Sequence, residues 1–399
     1  MLKAIFRDKN STEILVASLF SFLALFFYFP FLMAVLVLFA ATIFALIGKN
    51  NRWFLLLVVV LMTFVIGVYV ASKSDYFVIG NDKYQYINYL ELFRSGGFFD
   101  LVAMHPEFVS FGFLNILSFF ESDNFVFFIY YCFSFLVLCS SFLNYERVLP
   151  LFIFILISTS VFYLMYGNVI RQSLAISFFV FSVLRQDRLR YVAFALAFFS
   201  HMSVFFLLPV LFIKKNENKM AFLSYLVLLL GSFICFLGSD YIYTILSFVG
   251  IESLENKADL YEDFGRTNGD SSIRTLFVSG ILLFVLSYVS GKQFVKIDKE
   301  YVWLEKIVMV SFFIMVSLVS MDKIFERTFP YFYFVFILYF SYFLVYMKKG
   351  KEVYFLIFVF LVFLVYVVCA RIGSMQWFYD DNSMLFYTSN LSRVLLDVF

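Results

Sequence analysis

The stretch WFLLLVVVLMTFVIGVYVA, from Trp53 to Ala71, contains no charged residue and decides the fold class. A helix needs about 20 apolar residues to cross the hydrocarbon core of a bilayer, so this stretch is long enough to span a membrane. Similar runs recur along the chain, which has 399 residues, 63% of them hydrophobic and 15% charged. A soluble domain is about half apolar and about a quarter charged. The composition therefore excludes a soluble enzyme, a disordered protein and a disulfide-stapled secreted domain, and it predicts an all-α polytopic membrane protein.

The apolar runs predict about 11–14 transmembrane helices in a single integral membrane domain, residues 1–399, with no soluble domain. Proline removes a helix donor, so we expect a break between the first two runs near Pro30. Segments 106–120 and 191–213 are expected to be re-entrant or half-length, and the long loops 72–105 and 239–274 are expected outside. The predicted runs are 14–29, 31–47, 53–71, 124–143, 148–166, 171–184, 220–238, 275–290, 302–320, 329–347 and 353–371.

The distribution of Lys and Arg decides between two topologies for residues 191–213. With the N-terminus inside, a single crossing there would put later basic loops, such as those with Lys292 and Lys348, on the outer side. A fold-back at Ser200–His201 keeps these loops inside, as the positive-inside rule requires. Non-helical backbone at membrane depth is tolerated only where it lines a protein cavity. The topology therefore predicts a cavity near His201.

Three basic residues near membrane depth are functional candidates, because ionisable groups are expensive there. Arg171 in GNVIRQSLA follows the cap-type residue Asn168, and it could clamp a diphosphate or simply reach to lipid headgroups. His201 in FFSHMSVFF could take a proton from a hydroxyl or satisfy a kinked backbone. Arg327 in FERTFPYFYF could bind an anion or form a weak surface pair with Glu326.

The loop GNDKYQYINY combines a carboxylate, Asp82, with the aromatic side chains of Tyr84, Tyr86 and Tyr89. This combination is typical of sugar binding, but a membrane-interface aromatic belt would also explain the tyrosines. Glu107, shortly afterwards, is either a second acid/base group or a cap of the short helix that follows. These residues add a second group of candidates on the predicted outer side.

No cofactor and no metal site is predicted. There are only two His, none with an H-x-x-x-H spacing or a neighbouring Cys, and all four Cys lie within apolar runs. A divalent cation bound by the acid-rich loop 239–274 stays an alternative to a solvated loop. The absence of GxxxxGK[ST] gives no support for ATP-driven work, and a net charge of +2 gives none for nucleic-acid binding.

Several short motifs together resemble the EpsG-like branch of Wzy-type polysaccharide polymerases. They occur in the family's order over roughly residues 75–335, and each one alone is weak. The motifs are GNDKYQYINY (Gly80–Tyr89), PEF (Pro106–Phe108), GNVIRQSLAISF (Gly167–Phe178), FFSHMS (Phe198–Ser203) and FERTFPYFYF (Phe325–Phe334).

This resemblance implies a GT-C-like, metal-independent glycosyltransferase at the outer face of the bacterial inner membrane. Its donor and acceptor would be oligosaccharide repeat units on undecaprenyl diphosphate, embedded in the lipid bilayer. The growing glycan would be transferred from its carrier to a new lipid-linked unit. A flippase and a chain-length regulator of the same pathway are the expected partners, and no nucleic acid is expected.

The resemblance also implies roles for the candidate residues. Arg171 and Arg327 would hold the diphosphate, His201 would lie near the reacting centre, and Asp82 and Glu107 would face sugar. The expected catalytic residues are His201, Arg171, Asp82 and Glu107, and the expected substrate-binding residues are Arg171, Arg327, Asn168, Gln172, Tyr84, Tyr86 and Tyr89.

Three other functions stay open at the level of sequence. A ligase that moves a finished glycan from the same lipid would use similar charges. A flippase or transporter of lipid-linked glycan would need charges along a path across the membrane, whereas the candidates here lie at one face. A non-enzymatic scaffold would not need Arg at several outer helix ends.

Overall fold

A computed structural model describes eight parts of the chain. Most of the predicted run 14–29, most of 220–238, most of the loop 239–274 and the flanks of the run 353–371 lie outside the described residues. The described ranges are 29–49, 52–73, 82–213, 230–232, 269–289, 299–319, 321–347 and 357–367.

The described ranges are helical and contain no strand. This confirms the predicted all-α class. The α-helices are α1 (Pro30–Ile47), α2 (Arg52–Ala71), α3 (Lys83–Arg94), α4 (Phe98–Met104), α5 (Phe108–Leu117), α6 (Asp123–Ser140), α7 (Leu149–Ile157), α8 (Ser160–Gly167), α9 (Ile170–Leu184), α10 (Leu189–Ser200), α11 (Gly269–Val289), α12 (Lys299–Leu318), α13 (Asp322–Tyr346) and α14 (Ile357–Val367), and a 3-10 helix spans Met202–Phe212.

Among the described residues, five helices are long and apolar enough to cross a membrane: α1, α2, α6, α12 and α13. The pair α7 and α8 adds a sixth span if the two are counted together. Helices α5, α9, α10, α14 and the 3-10 helix are apolar but shorter. The chain is therefore a multi-pass membrane protein in which full spans are mixed with half-length helices.

Helix α1 shows how local sequence sets the ends of a span. Pro30 occupies its first turn, where the missing N–H costs nothing, which agrees with the predicted break there. At the other end Gly48 adopts a φ of 86°, and its N–H and that of Lys49 donate to the carbonyls of Ala45 and Phe44. Glycine favours this left-handed conformation because it has no Cβ.

The predicted continuous run 148–166 is instead two helices, α7 and α8, bent by 89°. Ser158 and Thr159 lie at the break, and their hydroxyls donate to the carbonyls of Ile155 and Leu156 at 2.6 and 2.7 Å. Thr159 then caps α8. Hydroxyl side chains compete with the backbone for these bonds, which favours a helix end inside an otherwise apolar run.

The segment 106–120 forms only the helix α5, whose ten residues rise about 15 Å. That length is about half of a bilayer's hydrocarbon core. The prediction of a half-length segment is confirmed here.

The segment 191–213 folds back on itself, as predicted. Helix α10 ends at Ser200, and the 3-10 helix begins directly after His201. The Arg190 guanidinium, near the start of α10, donates to the carbonyl of Val210, near the end of the 3-10 helix, at 3.4 Å. The two halves therefore run in opposite directions with His201 at the turn.

Helix α9 is the central element of the described bundle, since it packs against α6, α10 and α13. Most of its side chains are buried, including those of Ile176, Phe179 and Val180. Its N-terminal end carries Arg171, so burial of this helix fixes the position of the arginine.

The end of the bundle opposite Arg171 has its own polar contacts. Arg52 at the start of α2 pairs with Glu146 at 2.7 Å. Arg147 donates to the carbonyl of Ala45 at 3.4 Å, and its guanidinium lies 5.5 Å from the ring of Tyr346. This end holds the residues that the sequence predicts to lie inside.

Candidate active site

The candidate site lies where the C-terminal ends of α2 and α10 meet the N-terminal ends of α3, α5, α9 and α13. Ser110 on α5 donates to the carbonyl of Ser200 at 2.9 Å, which ties α5 to the turn after α10. Gln172 on α9 donates to the carbonyl of Arg327 on α13. These contacts bring residues that are far apart in sequence to one end of the bundle.

Arg171 and Glu107 form an ion pair inside this site. Their side chains are 17% and 8% exposed, so water screens the pair poorly. The guanidinium also lies over the rings of Phe111, at 4.8 Å, and Tyr86, at 5.8 Å. Its Nε is buried and has no hydrogen-bond partner among the described residues. Aromatic faces and a carboxylate thus hold Arg171 in one orientation.

Glu107 occupies the N-cap position of α5, but its side chain accepts no capping hydrogen bond. Its backbone carbonyl accepts from Phe111 at 3.2 Å, as ordinary helix geometry requires. One oxygen of the carboxylate, Oε2, pairs with Arg171. The other, Oε1, lies 3.9 Å from Nε2 of His201. The Glu107 side chain therefore faces Arg171 and His201 and makes no capping hydrogen bond to α5.

His201 lies buried at the turn between α10 and the 3-10 helix. Its Nδ1 accepts from the backbone N–H of Ser203 at 3.4 Å, and the Ser203 hydroxyl oxygen lies 2.7 Å from the same nitrogen. That hydroxyl is also 3.4 Å from the hydroxyl of Tyr331 on α13. A row of polar groups, all buried or nearly so, therefore runs from Arg171 to α13, and its widest step is the 3.9 Å between Glu107 and His201.

Asp82 lies just before α3 and is half-buried. Burial raises the pKa of its carboxyl, while the nearby cations Lys73, Arg171 and Arg327 oppose that rise. Its backbone N–H donates to the side-chain oxygen of Asn168 at 3.0 Å. The predicted carboxylate of the loop is thus placed among the arginines predicted to bind an anion.

Arg327 lies in the first turns of α13, and its side chain is exposed. Its neighbour Glu326 pairs with Lys323 at 3.7 Å. Buried Gln172 holds the Arg327 backbone in place. Arg171 and Arg327 are therefore at the same end of the bundle, one packed into the site and one at its surface.

Two buried lysines, Lys73 and Lys83, belong to the site and were missed from the sequence. Lys73 donates to the side-chain oxygen of Asn168 at 2.6 Å. Lys83 donates to the carbonyls of Ala71 and Lys73 and to the side-chain oxygen of Asn124, at 2.7 Å. Burial lowers the pKa of Lys73 to about 7, an effect that Asp82 opposes.

A signal for these lysines was available in the sequence. Lys73 directly follows an apolar span at the end predicted to face outside, where the positive-inside rule disfavours lysine. A cation retained against that bias needs a local partner. Here one such partner is Asn168, which is buried and accepts from both the Lys73 side chain and the Asp82 backbone N–H.

The three tyrosines of the loop differ in exposure. Tyr84 is exposed, Tyr89 is half-buried, and Tyr86 is buried beneath Arg171. Tyr89 packs edge-on against Phe111 at 5.4 Å between ring centroids, and its hydroxyl accepts from Gln85 at 2.7 Å. Tyr84 and Tyr89 keep accessible surface, whereas Tyr86 supports the arginine.

Within the described ranges, no three His, Cys, Asp or Glu side chains are grouped closely enough to hold a metal ion. The acid-rich stretch 239–268 lies outside these ranges. The charged groups of the site, among the described residues, are two arginines, two carboxylates and two lysines, with a histidine beside them.

These charged groups lie together at one end of the bundle of a multi-pass membrane protein. A family model described as the EpsG family matches residues 58–382, so the chain belongs to the EpsG family. EpsG-like proteins are Wzy-type polysaccharide polymerases, as the motifs suggested. No match was found among curated proteins or among solved structures.

Proposed function

We propose that this chain polymerises oligosaccharide repeat units carried on undecaprenyl diphosphate, at the outer face of the bacterial inner membrane. The observation that carries the proposal is the meeting of Arg171 and Arg327 with Asp82, Glu107 and His201 at one end of the bundle. In a membrane protein of a polysaccharide polymerase family, such a site fits a substrate with a diphosphate and a sugar.

The two arginines are assigned to the diphosphate. A guanidinium has five N–H donors, so Arg171 keeps donors for phosphate oxygens while it pairs with Glu107. It also lies in the first turn of α9, where free backbone N–H groups favour an anion. Arg327 is exposed and can close on the same group from α13. In this proposal the arginines, not a metal ion, neutralise the leaving diphosphate.

The reaction is a glycosyl transfer between two lipid-linked units. A hydroxyl at the non-reducing end of the new unit attacks the anomeric carbon of the growing chain. A C–O bond forms there, the C–O bond to diphosphate breaks, and the diphosphate leaves with the electron pair. The hydroxyl proton passes to a base of the site, for which Asp82, Glu107 and His201 are the candidates.

Aromatic surface beside the site suits the prenyl chains of both substrates. Phe108, which follows Glu107, is exposed, and its ring centroid lies 4.4 Å from that of Phe199 on α10. Phe205, shortly after His201, is also exposed. We assign this surface to the lipid tail, while Tyr84 and Tyr89 face the sugars. Buried Gln172 then positions the arginines from within.

The charge of the opposite end supports the orientation. Arg52 and Arg147 lie at that end, and the positive-inside rule assigns it to the cytoplasm. The candidate site then faces the periplasm or the exterior. A flippase and a chain-length regulator would act before and beside it in the same pathway.

The test is the length of surface glycan in a deletion strain complemented with single variants. Arg171→Ala and Arg327→Ala should leave the protein in the membrane but reduce the glycan to single repeat units on its acceptor. Arg52→Ala, at the opposite end, is the matched control and should restore long chains. If the arginine variants make long chains, the proposed site is wrong.

Two other outcomes would identify the alternative functions. Lipid-linked units accumulating on the cytoplasmic leaflet of the deletion strain would point to a flippase. Long glycan that stays on its carrier lipid, without transfer to a final acceptor, would point to a ligase.

A further inference from the structure

The contacts of Ser203 determine which nitrogen of His201 carries a proton. The Ser203 backbone N–H points at Nδ1 from 3.4 Å, and the Ser203 hydroxyl oxygen lies 2.7 Å from the same atom. A backbone N–H can only donate, so Nδ1 is the accepting nitrogen of the ring. Neutral His201 therefore holds its proton on Nε2.

That Nε2–H faces a carboxylate. Oε1 of Glu107 lies 3.9 Å from Nε2, and Oε2 of Glu107 takes the guanidinium of Arg171. Glu107 thus lies between two N–H groups, one on each oxygen. The ring nitrogen of neutral His201 that carries a lone pair is Nδ1. This nitrogen faces Ser203, in the turn that follows His201, and points away from Glu107.

This arrangement separates the three candidate bases. His201 has no lone pair directed into the site, and both oxygens of Glu107 face protein donors. Asp82 is half-buried beside the cations Lys73, Arg171 and Arg327, where the diphosphate would bind. It is the carboxylate that both arginines and the acceptor sugar can approach together.

Resting on the proposed polymerase function, we infer that His201 is a positioning residue that directs its Nε2–H toward Glu107 from 3.9 Å, and that Asp82 accepts the proton of the attacking hydroxyl. The proton moves from the acceptor hydroxyl to the Asp82 carboxylate as the new C–O bond forms. The electrons of the broken bond leave with the diphosphate. Glu107, paired with Arg171 and faced by His201, keeps Arg171 oriented toward that diphosphate.

The raised pKa of Asp82 agrees with this role, because a base works best when its pKa lies near the operating pH. Burial is the cause of the rise, and the three cations oppose it. The geometry of His201 is an independent observation that does not depend on this value.

The first experiment reads the tautomer directly. The chain has two His, so ¹⁵N-histidine spectra of the wild type and of His201→Gln, both in lipid nanodiscs, isolate the signals of His201 by difference. We expect a pyridine-type shift for Nδ1 and a pyrrole-type shift for Nε2. A pyrrole-type Nδ1 would overturn the inference about His201, whether or not the chain is a polymerase.

The second experiment compares polymerisation rates on lipid-linked repeat units. His201→Gln keeps an N–H donor at this position and should reduce the rate by no more than about tenfold, because a polar contact at 3.9 Å contributes no more than one hydrogen bond would. Asp82→Asn keeps the backbone contact to Asn168 and should reduce it by about 10²–10⁴-fold, as expected for loss of a general base. Thermal unfolding of each variant shows that it is folded.

The opposite pattern would overturn the assignment: a 10²-fold or larger loss in folded His201→Gln, with Asp82→Asn near the wild-type rate. Absence of polymerisation by the wild-type protein in the same rate assay would instead contradict the proposed function. In that case the tautomer measurement still tests the arrangement around His201. Failure of the inference and failure of the function are therefore distinguishable.

Discussion

Breaking the Arg171–Glu107 pair should cost far more stability than breaking an exposed pair of the same chain. The two side chains are only 17% and 8% exposed, and removing one partner of a buried pair costs about 3–5 kcal/mol because the other charge stays buried. We therefore expect Arg171→Met alone to lower the unfolding free energy by about that amount. The double variant with Glu107→Gln should recover most of the loss, because no uncompensated charge remains.

The control is the same double-mutant cycle on Arg52 and Glu146, whose side chains are 82% and 22% exposed. Exposed pairs contribute about 0–1 kcal/mol, so this cycle should give little coupling. Unfolding free energies are measured in the same bicelles for all variants. Equal coupling in the two cycles would refute the reasoning that burial makes the site pair strong.

The same double variant separates stability from function. The double variant Arg171→Met, Glu107→Gln should recover most of the stability that Arg171→Met alone loses. It should still make no long glycan, because no guanidinium at position 171 is left to bind the diphosphate. Long glycan from this stable double variant would show that Arg171 serves the fold alone.

Three further predictions concern other parts of the structure. Lys73 opposes the rise in the pKa of Asp82, so Lys73→Met should raise that pKa further and move the acid limb of the rate–pH profile to higher pH. An acid limb that does not move would contradict the electrostatic coupling between Lys73 and Asp82. Burial lowers the pKa of Lys73 from 10.5 to about 7, so between these two pH values the unfolded chain binds more protons than the folded chain. The unfolding free energy should therefore rise with pH in this range, by up to about 1.4 kcal/mol per pH unit. Denaturation at pH 7, 8 and 9 should show this slope in the wild type, and the slope should be absent in Lys73→Met. A Cβ on Gly67 would meet Tyr131 at 3.0 Å and Phe128 at 3.1 Å, so Gly67→Leu should destabilise the α2–α6 contact by about 1–3 kcal/mol in the same unfolding assay, with Gly67→Ala as the milder comparison.

Several local features could be read from the sequence because they depend on neighbouring residues. Pro30 fits the first turn of a helix, where a backbone N–H has no partner within the helix and none is needed. The segment 106–120 is too short for a full span. The fold-back at His201 was predicted by the sidedness of later basic loops. The bend between α7 and α8 was missed, because the apolar run 148–166 hides the two hydroxyl residues that end α7.

The candidate site was predicted as a set of residues but not as a set of contacts. Arg171, Glu107 and His201 were each proposed separately, and their pairing depends on α5, α9 and α10 meeting at one end. Lys73 was missed because a single lysine after a span looks like an ordinary flanking charge. Asn168 is predicted to bind substrate, and only the structure shows that its side-chain oxygen joins Lys73 to Asp82.

The sequence by itself determined the membrane class, the helical content and the family, because apolar length and ordered short motifs are properties of the chain alone. Only the tertiary structure decided which charges face one another and which side chains surround His201. Glu107 and Arg171 are far apart along the chain, so nothing local brings them together. The packing of α9 among its neighbours brings the two residues together. Because the pair is then largely buried, water screens the attraction between Arg171 and Glu107 only poorly.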